Sequence, residues 1–209
     1  MLKCMRKQLN RKKIIFILIA VAVIVGIPLV WTLSQSKYNF LPQIIASHTP
    51  DSNAITQFPD TDQSRLTDTQ QKIVRILKDE YALQPDGTKY SEGINEAWCA
   101  DFVSWVFKKA DVPLTNPNTG YWRIPGTYTL REYYEQENRF KPADSNYQPA
   151  IGDVMLYDNP SPFGQHVNII INTDKGAITT IGGNEPGGIR IVKHVGSERD
   201  GFIGYGILE

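Results

Sequence analysis

The sequence predicts an α+β domain, N-terminal helices followed by an antiparallel sheet, preceded by one transmembrane helix. Three observations carry that expectation. An uncharged apolar run fills residues 14–31. Apolar residues then recur at helical spacing through the first half of the remaining domain. They recur at strand spacing, divided by turn signals, through its second half.

The chain has 209 residues, 22 basic and 22 acidic, and 41% of it is hydrophobic. That content supports a packed core and excludes wholesale disorder. The zero net charge hides an asymmetry. Residues 1–31 hold Lys3, Arg6, Lys7, Arg11, Lys12 and Lys13 and no acid, which leaves 16 basic and 22 acidic residues for the rest. A body with that balance lacks the basic face that nucleic acid requires, so no nucleic-acid partner is expected.

Ile14 to Trp31 reads IIFILIAVAVIVGIPLVW, 18 residues without a charge. As a helix it spans roughly 27 Å, close to the ~30 Å hydrocarbon core. Pro28 sits near the outer end, where losing a backbone hydrogen bond costs least. The cations precede the run, so the positive-inside rule puts the basic residues 1–13 in the cytoplasm and the body outside. The membrane partner is therefore this one N-terminal helix. A cleaved signal peptide is the alternative, with Ser34-Gln35-Ser36 as its cleavage site, although the run exceeds the ~7–15 residues of a signal h-region. With the anchor intact, Cys4 and Cys99 lie on opposite sides of the membrane and cannot pair. Cys99 is then a lone thiol in an oxidising compartment, which flags reactivity.

Residues 32–66 are rich in Ser, Thr, Gln, Asn, Asp and Pro and read as a linker; packing around Phe58 is the alternative. The folded domain then covers residues 67–209. Thr67 or Asp68 caps a first helix to about Tyr81, with Ile73, Val74, Ile76, Leu77 and Tyr81 on one stripe. Ala97 to Ala110 (AWCADFVSWVFKKA) is a second and very apolar helix, with Lys108 and Lys109 in its last turn as the macrodipole prefers. A third covers Thr129 to Asn138. Strands are expected at Asp153–Tyr157, His166–Thr173, Ala177–Asn184, Ile189–His194 and Phe202–Leu208.

The candidate chemistry centres on Cys99. A Cys beside Trp98 and Phe102 is ordinarily a buried small hydrophobe. This one lies in the first turn of its helix, where the dipole and unpaired N–H groups stabilise a thiolate and can also hold an oxyanion. A thiol nucleophile needs a base and something to orient it. His166 opens an apolar strand, whereas His194 follows Lys193 at a strand end and reads as solvated. If Asp174-Lys175-Gly176 is a three-residue turn, Thr173 pairs with Ala177 and His166 falls directly opposite Asn184, with Cβ atoms ~4.5–5.5 Å apart. A two-residue turn shifts that register by one and sends Asn184 elsewhere. Asn184-Glu185-Pro186-Gly187 also reads simply as a turn.

The run GINEAWCADFVSWVFKKADVP, then PAIGDVMLYD, then GQHVNIIINTDKGAITTIGGNEPGG resembles the CHAP family, the cysteine, histidine-dependent amidohydrolases/peptidases of peptidoglycan. The resemblance implies a papain-like (CHAP/NlpC-type) fold with Cys99 as nucleophile, His166 as base and Asn184 as the orienting residue. Some relatives carry a Glu two residues before that Asn; here the position is Gly182, and Glu185 is a lesser candidate for the third role. Some bind calcium through paired Asp residues before the Cys. The stretch KYSEGINEAW has no such pair, so no metal and no cofactor is expected.

Substrate-binding candidates are Trp98, Asn95 and Trp122. Asn95 would supply an oxyanion donor beside the Cys99 N–H, and Trp122 would line a groove with Tyr121 and Tyr128; the bland alternative is that these aromatics cover the core. The expected function is a membrane-tethered extracytoplasmic peptidoglycan hydrolase, an N-acetylmuramoyl-L-alanine amidase or a stem or cross-bridge endopeptidase. The alternatives are a non-catalytic wall-binding scaffold and a papain-like protease acting on proteins.

Overall fold

Thr67 begins the first helix with a reciprocal cap. Its Oγ1 accepts from the Gln70 backbone N–H at 3.2 Å, and Gln70 Oε1 accepts from the Thr67 N–H at 3.0 Å. Helix α1 (Asp68–Leu83) follows, burying Ile73, Val74 and Leu77 as its stripe predicts. Gln84 ends it in a left-handed conformation at φ 45° and ties it to the sheet. The Gln84 side chain donates to Ile189 O and accepts from Ile189 N, both at 2.9 Å. Helices α2 (Cys99–Lys109) and α3 (Thr127–Gln136) complete the helical half.

The structure, a computed structural model, describes residues 54–55, 57–159, 164–174, 176–195 and 201–208. The predicted span at 14–31 and its flanks lie outside them. Among the described residues, no helix is long and apolar enough to cross a membrane. Part of the predicted linker belongs to the fold: Ala54–Ile55 form an edge strand, β1, and Phe58 packs against the core and against Tyr81.

The remaining strands are β2 (Phe140–Pro142), β3 (Val154–Tyr157), β4 (His166–Asp174), β5 (Ala177–Glu185), β6 (Gly188–Val195) and β7 (Phe202–Gly206). All pair antiparallel, in the order β1-β6-β5-β4-β3-β7-β2. Period-two alternation divides their side chains between two clusters. Val154, Leu156, Val167, Ile169, Ile181, Ile189 and Ile191 join the helices in the main core. Met155, Tyr157, Ile170, Ile178 and Tyr205 form a second, smaller cluster.

The Gly152-Asp153 pair before β3 has a structural task. Gly152 adopts φ 95°, and buried Asp153 accepts from Tyr147 Oη at 2.7 Å, Ala150 N at 2.8 Å and Leu208 N at 2.9 Å. One buried carboxylate thereby fastens the chain's C-terminal segment beside β3, its charge satisfied by three donors.

Candidate active site

Cys99 is the first residue of α2, and its neighbours hold it there. Glu80 of α1 is buried and accepts from Tyr90 Oη at 2.6 Å. The Tyr90 ring stacks on Trp98, centroids 5.2 Å apart. Trp98 in turn meets Phe102 edge-on at 6.2 Å. It also lies so close to Gly87 and Gly183 that a Cβ at either would fall 2.3 Å from the indole. This stack fixes the residue that precedes the thiol. Trp98 makes no side-chain cap to α2, so the first-turn amides are left to other acceptors.

The Cys99 thiol is buried, lies 3.6 Å from Thr127 Oγ1, and is hydrogen-bonded to His166. Thr127 is the first residue of α3, so two helix N-termini and one strand end converge on the sulfur. Burial pushes the thiol up. The His166 hydrogen bond and charge, the Thr127 hydroxyl and the Ala100 N–H outweigh it, and the net shift is downward. His166 is buried as well. Burial alone would lower it, but hydrogen bonds to Cys99 and Glu185, and the charges of both, raise it to about 9.

His166 Nε2 lies 2.8 Å from Glu185 Oε1, which leaves Nδ1 as the nitrogen for the thiol. The partner expected from the sequence was Asn184, and the structure corrects that pairing. The β4–β5 turn has two residues, since Asp174 pairs with Ala177. An irregularity between Ile170 and Asn172 then restores the supposed register, with Ile170 opposite Thr180 and Ile169 opposite Ile181. A second one falls on the β5–β6 side between Gly182, which pairs with Arg190, and Glu185, which pairs with Gly188. There Asn184 takes φ 58° and stands exposed, and Glu185 is delivered to the histidine in its place. Gly182 makes room for this. A Cβ on it would lie 2.0 Å from Asn168 Oδ1 and 3.1 Å from Glu185 Oε1.

The three substrate-binding candidates have different settings in the fold. Trp98 is engaged in the stack beneath the nucleophile turn. Asn95 is exposed in the loop before α2. Trp122 is half-buried under the Lys108 ammonium, 4.0 Å from its ring centroid. A small groove beside the site is lined by Thr127, Tyr128, Arg131, Tyr157, Asp158, Gln165 and Ile203. Of the three aromatics suggested for a groove, Tyr128 lines this one. Thr127 was missed by sequence reasoning; its position at a helix start after Gly126 is the only local signal. His194, read as solvated, is half-buried with Nε2 3.0 Å from Thr180 Oγ1.

A thiol at a helix N-terminus, bonded to a histidine that is bonded to a carboxylate, defines the class of cysteine–histidine hydrolases. Residues 89–184 match the family model of the CHAP domain, which bears out the resemblance over that segment. Among the described residues, the α+β architecture of three α-helices and an antiparallel sheet is consistent with it. No curated protein and no solved structure matches the chain. CHAP domains are typically cysteine, histidine-dependent hydrolases of the amidase and peptidase group, and the match over that segment suggests the same group.

Proposed function

We propose that the protein is a membrane-tethered peptidoglycan hydrolase that cuts an amide bond, at muramic acid or within the peptides, by a Cys99-His166-Glu185 thiol mechanism. The observation that carries this reading is the buried chain of contacts from the Cys99 sulfur through His166 to Glu185, at the N-terminus of α2. The lowered thiol and raised imidazole favour a thiolate–imidazolium pair before substrate arrives.

The chemistry follows from that pair. The thiolate attacks the carbonyl carbon, and the Cys99 backbone N–H stabilises the resulting oxyanion. His166 gives its proton to the departing amine as the C–N bond breaks, leaving a thioester on Cys99. His166 then takes a proton from water, which attacks the thioester; the acid leaves and the thiolate is restored. Glu185 holds the ring and balances its charge in both halves. The apolar run at 14–31 and the basic residues before it support the tether, with the domain on the outer face.

The test uses the full-length chain, purified in mild detergent with a reductant, and purified sacculi. Wild type is expected to release soluble fragments bearing new amine and carboxyl ends, whose masses name the bond; Cys99→Ala releases none. Equal release by both proteins, or release by neither, overturns the reading. Cleavage of casein without cleavage of sacculi would make it a protease of proteins.

A further inference from the structure

Arg123 lies in the segment between α2 and α3, outside the triad, yet it grips the chain on both sides of the nucleophile. Its guanidinium pairs with Glu96, three residues before Cys99, and its Nε lies 2.7 Å from Oδ1 of Asp101, two residues after Cys99. The Arg123 side chain is 12% exposed and that of Asp101 is fully buried. The neighbouring contacts run the same way. Tyr121 Oη donates to Glu92 Oε1 at 2.9 Å, and Ser104 Oγ of α2 exchanges hydrogen bonds with the Ile124 backbone. Segment 121–124 is thus fastened along the loop and the first turns that present the thiol.

Asp101 is an unusual residue to bury here. Neither of its oxygens, nor Arg123 Nε, makes a hydrogen bond of good geometry. The pair is held by charge. Complete burial, with the Glu92 charge, pushes the Asp101 carboxyl up to about 7. The guanidinium 2.7 Å away favours the ionised form, and Arg cannot shed its own proton. A neutral Asp101 would strand a buried cation shared only with Glu96, so the ionised pair is the state that prevails.

We propose that Arg123 is a positioning residue for the nucleophile: it clamps the turn on both sides of Cys99, pairing with Glu96 before it and Asp101 after it. The charged and titratable groups around this pair are Arg123, Glu96 and Glu92 on the Asp101 side, and His166 with Glu185 behind it on the thiol side. A carboxylate in the first turn of a helix ordinarily suits the dipole. Here it makes no hydrogen bond to the first-turn amides, and the guanidinium ties it to the loop that precedes the thiol.

The proposal rests on Cys99 being the nucleophile, but its test does not need a substrate. The pH dependence of iodoacetamide alkylation is followed at the Cys99 peptide by mass spectrometry in the full-length chain, so that Cys4 does not interfere. R123Q cuts both pairings and is expected to move the profile up, because the thiol is then no longer held in place against His166 and the first-turn amides of α2. D101N, near-isosteric, frees only one side of the clamp and is expected to move it up by less. The double variant is expected to match R123Q, since the clamp is already open. An R123Q profile that overlies wild type, or a D101N shift larger than that of R123Q, overturns the proposal. If R123Q fails to fold, D101N decides: an upward shift supports it, and no shift or a downward one overturns it. Sacculus cleavage lost in wild type with these shifts intact would count against the substrate and leave the clamp standing.

Discussion

Glu185 Oε1 lies 2.8 Å from His166 Nε2, with both side chains buried, while Asn184 beside it faces solvent in a left-handed turn. A carboxylate therefore occupies the orienting position. It differs from an amide in kind: it accepts but never donates, and its charge favours the imidazolium. Placing it required a one-residue irregularity in β5 and the absence of a side chain at Gly182.

The first prediction concerns pH. The Cys99 thiol is lowered and His166 is raised to about 9. kcat/KM should rise through an acid limb that lies below the ordinary thiol range, and fall through an alkaline limb near 9 as His166 loses its proton. In His166→Ala the alkylation profile of Cys99 should move up, because burial then acts without the counter-charge. The sign for stability follows from the raised His166. Its contribution is complete below the ordinary histidine value of about 6.5 and is lost as pH rises through the folded value. The urea-midpoint advantage of wild type over His166→Ala should shrink across that window.

The second concerns Gly182. Gly182→Ala sets a methyl 2.0 Å from Asn168 Oδ1 and 3.1 Å from Glu185 Oε1, so both must shift. Neighbouring buried groups have little slack, and a destabilisation of about 1–3 kcal/mol is expected from urea unfolding. Turnover should drop further than stability implies, because the displaced group is the one that holds His166. Adding Asn168→Ala vacates the contested space and should recover part of the loss.

The third concerns Trp98, which the sequence suggested for substrate binding. Its ring is stacked on Tyr90 and wedged between Gly87 and Gly183. Trp98→Ala should cost about 3–5 kcal/mol, the range for deleting a large packed aromatic. Trp98→Phe retains one ring against Tyr90 and should lose less. Calorimetric unfolding of the two variants checks the order.

Most of the architecture was legible because its signals are periodic. The stripe of α1, the apolar run of α2 and the alternation of five strands each came from spacing, and their limits in the structure fall within about two residues. The short strands were not legible. Ala54–Ile55 and Phe140–Pro142 hold two and three residues, too few for any period to emerge, and both sit at sheet edges where pairing is decided by the neighbour. Helix α3 begins at Thr127 rather than Thr129 because Gly126 takes the cap position, with no side-chain signal to mark it. At the site, Cys99 and His166 stood out by chemistry and element position. The choice between Asn184 and Glu185 turned on a register, and two irregularities that no alternation pattern announces decide it. A Gly-Gly-Asn-Glu sequence does hold the ingredients of such an irregularity, since Asn tolerates a positive φ and Gly182 yields space. Arg123 was invisible in the sequence because a clamp is defined by what it spans, not by its neighbours in the chain.

The most direct measurement compares Glu185→Ala and Asn184→Ala, each as the folded full-length chain, for release of fragments from purified sacculi. The account predicts that Glu185→Ala loses about 10²-fold or more in kcat, the scale of a lost general-base orientation. Asn184→Ala should stay within about threefold of wild type, since its side chain is exposed. The reverse order, with Asn184→Ala crippled and Glu185→Ala active, would contradict the account at its centre.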